Sequence, residues 1–151
     1  MILRRSVILA LGSMLLLTRG VFSQTAVKVR RVGLLSSGAP FADTSEVVMG
    51  LTAGFSKRGY VVGSSLLFER RAAQAHPDRL PQLVDDLKSQ AELIITNSNA
   101  AARVVKDRSN VPVVAITGAD LVATGLIDNL ARPGGNITGS ARLLSSFRPS
   151  G

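Results

Sequence analysis

Glu92-Leu93-Ile94-Ile95-Thr96-Asn97-Ser98-Asn99-Ala100-Ala101-Ala102-Arg103-Val104-Val105-Lys106 changes its hydrophobic period within a few residues. The first part is a short apolar run of strand length. The last part places Ala101, Val104 and Val105 at helical spacing, and the polar triplet between them supplies helix caps. A strand that passes directly into a helix requires a crossover and a parallel neighbour rather than a hairpin. The same unit recurs on both sides. Upstream, 29–35 reads as a strand stopped by Ser36-Ser37-Gly38-Ala39-Pro40. Thr44 or Ser45 then caps a helix carrying Val47, Val48, Leu51 and Phe55, which Gly59 ends. Residues 66–71 form a more polar strand, hence one nearer an edge, and Pro77-Asp78 opens a helix with Leu80, Leu83, Val84 and Leu87 on one stripe. Downstream, 112–117 is a strand. Gly118-Ala119-Asp120 leads into a helix bearing Val122, Leu126 and Leu130 that stops before Arg132-Pro133-Gly134-Gly135, and 136–139 begins a fifth strand. The alternation predicts an α/β fold, a doubly wound parallel sheet with helices on both faces.

Composition narrows the chemistry. The chain of 151 residues has 18 Lys+Arg, 10 Asp+Glu, one His and no Cys, which allows one ordinary domain and excludes disulfides, thiol nucleophiles and thiolate metal sites. With His76 alone, a multi-histidine zinc centre is excluded too, so neither metal nor cofactor is expected, and the inventory is not that of an enzyme. Arg4 and Arg5 precede the apolar stretch 6–17, and Val21-Phe22-Ser23 offers a cleavage site before Gln24. Residues 1–23 therefore read as an export signal, with an uncleaved membrane anchor as the alternative. Without them the chain carries 15 basic and 10 acidic side chains, a formal +5. The excess is scattered in pairs such as Arg30-Arg31 and Arg70-Arg71, so no nucleic-acid surface is expected.

The informative residues lie at strand ends. In open parallel sheets, ligands bind in the crevice outside the carboxyl ends of the strands. Ser36, Ser37 and Gly38 follow the first strand, Thr96, Asn97 and Ser98 the third, and Thr117, Gly118 and Asp120 the fourth. Their hydroxyls, amides and backbone N–H groups suit a small polar solute, although each also serves as an ordinary cap or turn residue. Dinucleotide, P-loop and nucleophile-elbow motifs are absent, and Asp85-Asp86 point apart on a helix. A flavodoxin-like enzyme or electron carrier, with Ser36-Ser37-Gly38 cradling a phosphate-bearing cofactor, is the alternative from another class.

Several segments carry a resemblance: the leader, Arg31-Val-Gly-Leu-Leu35, Gly54-Phe-Ser-Lys-Arg-Gly-Tyr60, Asp78-Arg-Leu-Pro-Gln-Leu-Val84 and above all Leu130-Ala-Arg-Pro-Gly-Gly-Asn-Ile-Thr-Gly139. Together they resemble the substrate-binding proteins of ABC importers in the tryptophan/tyrosine-binding-like group. The resemblance implies a type I periplasmic-binding-protein fold, two α/β lobes closing on a solute such as an amino acid, and delivery to an ABC permease in the inner membrane. It places solute contacts at Ser36, Ser37, Asn97, Ser98 and Asp120; with Thr117, read from its strand end, these form the expected binding set. Asn99 and Leu121 stand where the family usually has proline, and Arg132-Pro-Gly-Gly-Asn136 resembles a turn whose glycines take positive φ.

The resemblance covers 24–139 as a first lobe; 140–151 reads as an irregular tail without likeness to the family's continuation. The expectation is an exported, periplasmic first lobe lacking its second, a truncated, frame-shifted or partial product, with weak or absent solute binding of its own.

Overall fold

The structure, a computed structural model, describes residues 28–117, 120–129 and 135–141. The elements run β1 (Arg30–Ser36), α1 (Glu46–Ser56), β2 (Leu66–Ala72), a 3₁₀ turn (Pro77–Arg79) leading into α2 (Leu80–Lys88), β3 (Leu93–Thr96), α3 (Asn99–Arg108), β4 (Val113–Thr117) and β5 (Ile137–Ala141). All pairings are parallel, in the order β2-β1-β3-β4-β5. The polar strand is at the edge, as its sequence predicts: among the described residues only one side of it is paired, and its burial is partial.

Alternation along the strands divides the core in two. Val32, Leu34, Leu66 and Ile95 face α1 and Phe41, with the ring of Phe55 packed edge-on to Tyr60 at a centroid distance of 6.0 Å. Leu35, Ile94, Val113, Ala115 and Ile137 face the other way, onto Leu80, Val84 and Leu87 of α2 and Ala101, Ala102 and Val105 of α3. Helices on opposite faces follow from the strand order. The connection from β1 to β2 steps one way and that from β2 to β3 steps back across β1, and right-handed crossovers then place α1 and α2 on opposite sides. The direction reverses between β1 and β3.

The caps explain where the helices sit. Ser45 Oγ accepts from the Val48 N–H and Ser98 Oγ from the Ala101 N–H, each at 3.3 Å, so both first turns have a buried-side donor satisfied. α1 ends where Gly59, at φ 84°, takes the left-handed conformation. The Gly59 N–H then donates to Ser56 O and the Tyr60 N–H to Phe55 O, a Schellman ending that also brings the two rings together.

The helix expected after β4 is the main correction. Residues 121–125 form a single turn: Asp120 Oδ1 accepts from the Val122 and Ala123 N–H groups at 2.8 and 3.2 Å, and the Thr124 N–H reaches Asp120 O. Gly125 then adopts φ 69°. Its N–H donates to Val122 O and that of Leu126 to Leu121 O, so a second Schellman ending stops the helix after one turn. Val122, expected inward, is 40% exposed, whereas Leu121 and Leu126 are buried; Leu130 lies outside the described residues. Gly135 lacks the expected positive φ, the left-handed glycines among the described residues being Gly59, Gly63 and Gly125. β5 continues to Ala141, two residues into the stretch expected to be irregular. The expected signal segment lies outside the described residues, and among the described residues no helix is long and apolar enough to cross a membrane.

Candidate functional site

The strand order reverses between β1 and β3, and two successive connections leave there on opposite faces of the sheet; in open parallel sheets the ligand crevice lies at the carboxyl ends of the strands at such a reversal. Leu35 is level with Thr96, and Thr96 with Ala115, so β1, β3 and β4 reach this end of the sheet together, with β4 running two residues further to Thr117. At a spacing of about 4.8 Å between neighbouring strands they span roughly 10 Å, the dimension of a small solute. The structure thus brings Ser36, Ser37, Asn97, Ser98 and Thr117 to one edge of the sheet. Asp120 follows in the turn beyond β4 and is exposed.

These residues divide into those that build the loops and those that the loops present. Ser36 is 1% exposed and its Oγ accepts from the Gly38 N–H at 3.2 Å. Thr96, fully buried, does the same for the Ser98 N–H at 3.3 Å. Both hydroxyls bend the chain away from its strand. Ser98 is occupied in capping α3, Thr117 is buried, and Asp120 Oδ1 caps its own turn. Among the described residues the Ser37 hydroxyl and the Asn97 amide, by contrast, take no part in the loops' hydrogen bonding, and Asn97 is exposed.

A fourth loop, which sequence reading passed over, closes one side. Beyond β2 the N–H groups of Ala73, Gln74 and Ala75 donate to Ser36 O, Gly38 O and Ser37 O at 2.9, 3.0 and 2.8 Å. The stitching is achieved by putting Gln74 and Ala75 at φ 54° and 61°, a conformation that costs a non-glycine residue of order 1 kcal/mol and persists only where the surroundings impose it. No sequence signal marks it, because neither residue is Gly or Asn. Arg70 also reaches from β2 to Asp43 in the β1–α1 loop, and this guanidinium holds the Asp43 carboxyl below its usual range. Asn99, the first residue of α3, has its Oδ1 buried without a partner.

The turn after β4 is held from behind by α3. Arg103 Nη2 donates to Thr124 O at 2.6 Å and Lys106 Nζ to Leu126 O at 3.1 Å. Among the described residues the strand ends carry hydroxyls, amides and one carboxylate, groups that can hydrogen-bond a small polar molecule.

Strand order 2-1-3-4-5 is also that of flavodoxin-like proteins, so the fold alone does not choose between the readings that the sequence leaves open. The choice comes from the family model described as ABC transporter substrate binding protein, which matches residues 42–145. The chain belongs to this family. Its members are substrate-binding proteins, not enzymes. Solved structures agree in fold. A conserved domain protein from Vibrio cholerae O1 biovar eltor superposes with a TM-score of 0.66 at 22% identity, over 76% of this chain and 39% of that one. A ligand-free, open substrate binding protein with adhesive properties from Clostridium difficile gives 0.65 at 21%, over 75% and 39%. An ABC domain in complex with L-Trp from Streptococcus pneumonia gives 0.63 at 19%, over 76% and 39%. The chain thus spans 39% of the length of these solved chains. No curated protein matches it.

Proposed function

We propose that this chain is the first lobe of the extracytoplasmic solute-binding component of an ABC importer. In this reading residues 1–23 are the export signal, 24–139 the lobe and 140–151 a tail. The solute is a small polar molecule such as an amino acid, held by Ser36, Ser37, Asn97, Ser98, Thr117 and Asp120, and the partner is an ABC permease in the inner membrane. The observation that carries the reading is the pair of small polar loops at the β1/β3 reversal, with Ser37 and Asn97 left over from the loops' own hydrogen bonding. Family membership and the L-Trp bound by the pneumococcal relative support it.

A zwitterionic amino acid suits this lining. Its carboxylate finds N–H and O–H donors at the entrances of α1 and α3, where the helix dipole favours negative charge, and its ammonium finds the Asp120 carboxylate. The described residues line the crevice from one side, so little of the ligand surface is removed from water. Affinity is expected to be weak, in the millimolar range, against the much tighter capture that a closed two-lobed site achieves.

Titrating L-tryptophan and other amino acids into the ¹⁵N-labelled chain tests this. Amide shifts concentrated at Ser37, Asn97, Ser98 and Asp120 for at least one amino acid are expected. Shifts confined to other faces, or none for any amino acid, overturn the site. A submicromolar dissociation constant by calorimetry overturns the one-sided crevice.

A further inference from the structure

Ala115 of β4 and Gly139 of β5 are partners in the sheet register. On the face shared with α2 and α3, these two small residues leave a notch across the strands, and one side chain occupies it. A β-carbon on Gly139 would overlap Leu121 Cδ1 outright, and would meet the Ala115 carbonyl oxygen at 3.2 Å and Leu121 Cγ at 3.3 Å. The end of a leucine often swings aside cheaply, but Leu121 is 1% exposed and packed in the core with Leu126, Ile127 and Ile137, so it has nowhere to swing.

Leu121 is also the pivot of the turn after β4. Its carbonyl oxygen accepts from the Leu126 N–H at 3.0 Å, the Ile127 N–H at 3.3 Å and the Thr124 hydroxyl at 3.1 Å. Directly before it stands Asp120, whose Oδ1 accepts from the Val122 and Ala123 N–H groups of the turn. Arg103 and Lys106 fix the far end of the turn. The near end, the one that bears the carboxylate, is held by the Leu121 side chain in its notch.

We propose that Gly139 is a positioning residue for the solute crevice: the absence of a side chain at this point of β5 seats Leu121, and the seat sets where the Asp120 carboxylate stands. The inference rests on the reading of Asp120 as a solute contact. A larger residue at 139 lifts Leu121, and Asp120 moves with it, while Ser37 and Asn97, on other strands, stay where they are. A smaller residue at 121 gives up that hold, but it makes room for the added carbon, so the substitution at 139 then has little left to displace.

The test compares the chain with its Gly139→Ala, Leu121→Ala and doubly substituted variants by amide hydrogen exchange and by L-tryptophan titration. Gly139→Ala should speed exchange at Val122 and Leu126 by about tenfold more than at Leu34 and Ile95, as expected for overpacking of a filled site. Leu121→Ala leaves a cavity and loosens the turn on its own account, but in its background Gly139→Ala should add little further acceleration. L-tryptophan affinity should fall with Gly139→Ala in the parent and change little with it in the Leu121→Ala background, with the shifts at Ser37 and Asn97 persisting throughout. Equal acceleration at all four amides would show that Gly139 serves the sheet as a whole, and an undiminished effect of Gly139→Ala in the Leu121→Ala background would show that Leu121 is not what it seats; either result overturns the proposal. If L-tryptophan and other amino acids leave the unsubstituted chain unchanged, the amino-acid reading fails, and the exchange comparison alone decides whether Gly139 seats the turn.

Discussion

Ser98 serves two purposes that substitution can separate. Its Oγ accepts from the Ala101 N–H at 3.3 Å, and its backbone, at φ −138° and ψ 133°, is the extended geometry of a helix cap. Ser98→Ala leaves that N–H without its acceptor. Loss of a cap costs about 0.5–2 kcal/mol, and the long hydrogen bond points to the lower half of the range, about 1 kcal/mol. For a domain of this size that corresponds to a drop in Tm of about 3–5 °C. Ser98→Asp keeps an oxygen acceptor at the cap and adds negative charge to the positive end of α3, so stability should equal or exceed that of the parent. At the crevice the outcome reverses: the new carboxylate repels the carboxylate of an amino acid, and solute-induced shifts should vanish in Ser98→Asp yet survive, weakened, in Ser98→Ala. Urea denaturation and the amino-acid titration read the two effects separately. The reasoning is refuted if Ser98→Ala is neutral, or if Ser98→Asp is destabilised as much as Ser98→Ala.

Three further outcomes follow from the packing and the charges. A β-carbon on Gly33 would lie 3.3 Å from Ala91 Cβ, Ile94 Cγ1 and Leu87 Cδ2, so Gly33→Val, adding two methyls more, should destabilise by about 3 kcal/mol in denaturant titrations. Asp85 on α2 is bound by Arg108 of α3 and by Lys88, and these hydrogen bonds, that to Arg108 first, hold its carboxyl down to about 2 from an ordinary 3.8. Because the folded value is the lower, the link contributes fully above the unfolded value and is lost as pH falls from about 3.8 through about 2. Asp85→Asn should therefore be less stable than the parent at pH 5, and the difference should close by pH 2. Ala75→Pro removes the N–H that donates to Ser37 O and forbids the positive φ. It should lower Tm and shift the Ser37 and Gly38 amides, whereas Ala75→Gly should keep the Ser37 contact.

Most of the scaffold was legible because it depends on short-range periodicity. Leu80, Leu83, Val84 and Leu87 lie on one stripe and three of them are buried; Ser45 and Ser98 cap the helices they precede. The β4–β5 connection misled because Val122, Leu126 and Leu130 satisfy a helical spacing that the backbone does not follow. The contrary signal was Gly125, which after a cap at Asp120 ends the helix in one turn and transfers burial from Val122 to Leu121. At the proposed site, residue type and strand end picked out the loops, but not which hydroxyls were already committed. Ser36 and Thr96 turn inward onto their own loops, a choice set by backbone direction at the end of a strand. The Gln74-Ala75 clamp was illegible, since strained residues conform to tertiary contacts rather than to their own preference.

That division between committed and uncommitted groups ranks the proposed contacts. Replacing Ser36 by Ala removes the acceptor of the Gly38 N–H, so any loss of solute binding arrives together with a distorted loop. Replacing Ser37 by Ala, or Asn97 by Ala, removes no hydrogen bond that the fold uses, so stability should stay within about 0.5 kcal/mol of the parent, as for a surface substitution. A solute that uses either group should nonetheless bind more weakly by about one hydrogen bond, roughly 1 kcal/mol or fivefold. If Ser37→Ala and Asn97→Ala bind amino acids as the parent does while Ser36→Ala does not, recognition resides in the loop backbone. The N–H groups at the entrances of α1 and α3, rather than the side chains, would then be the specific part of the crevice.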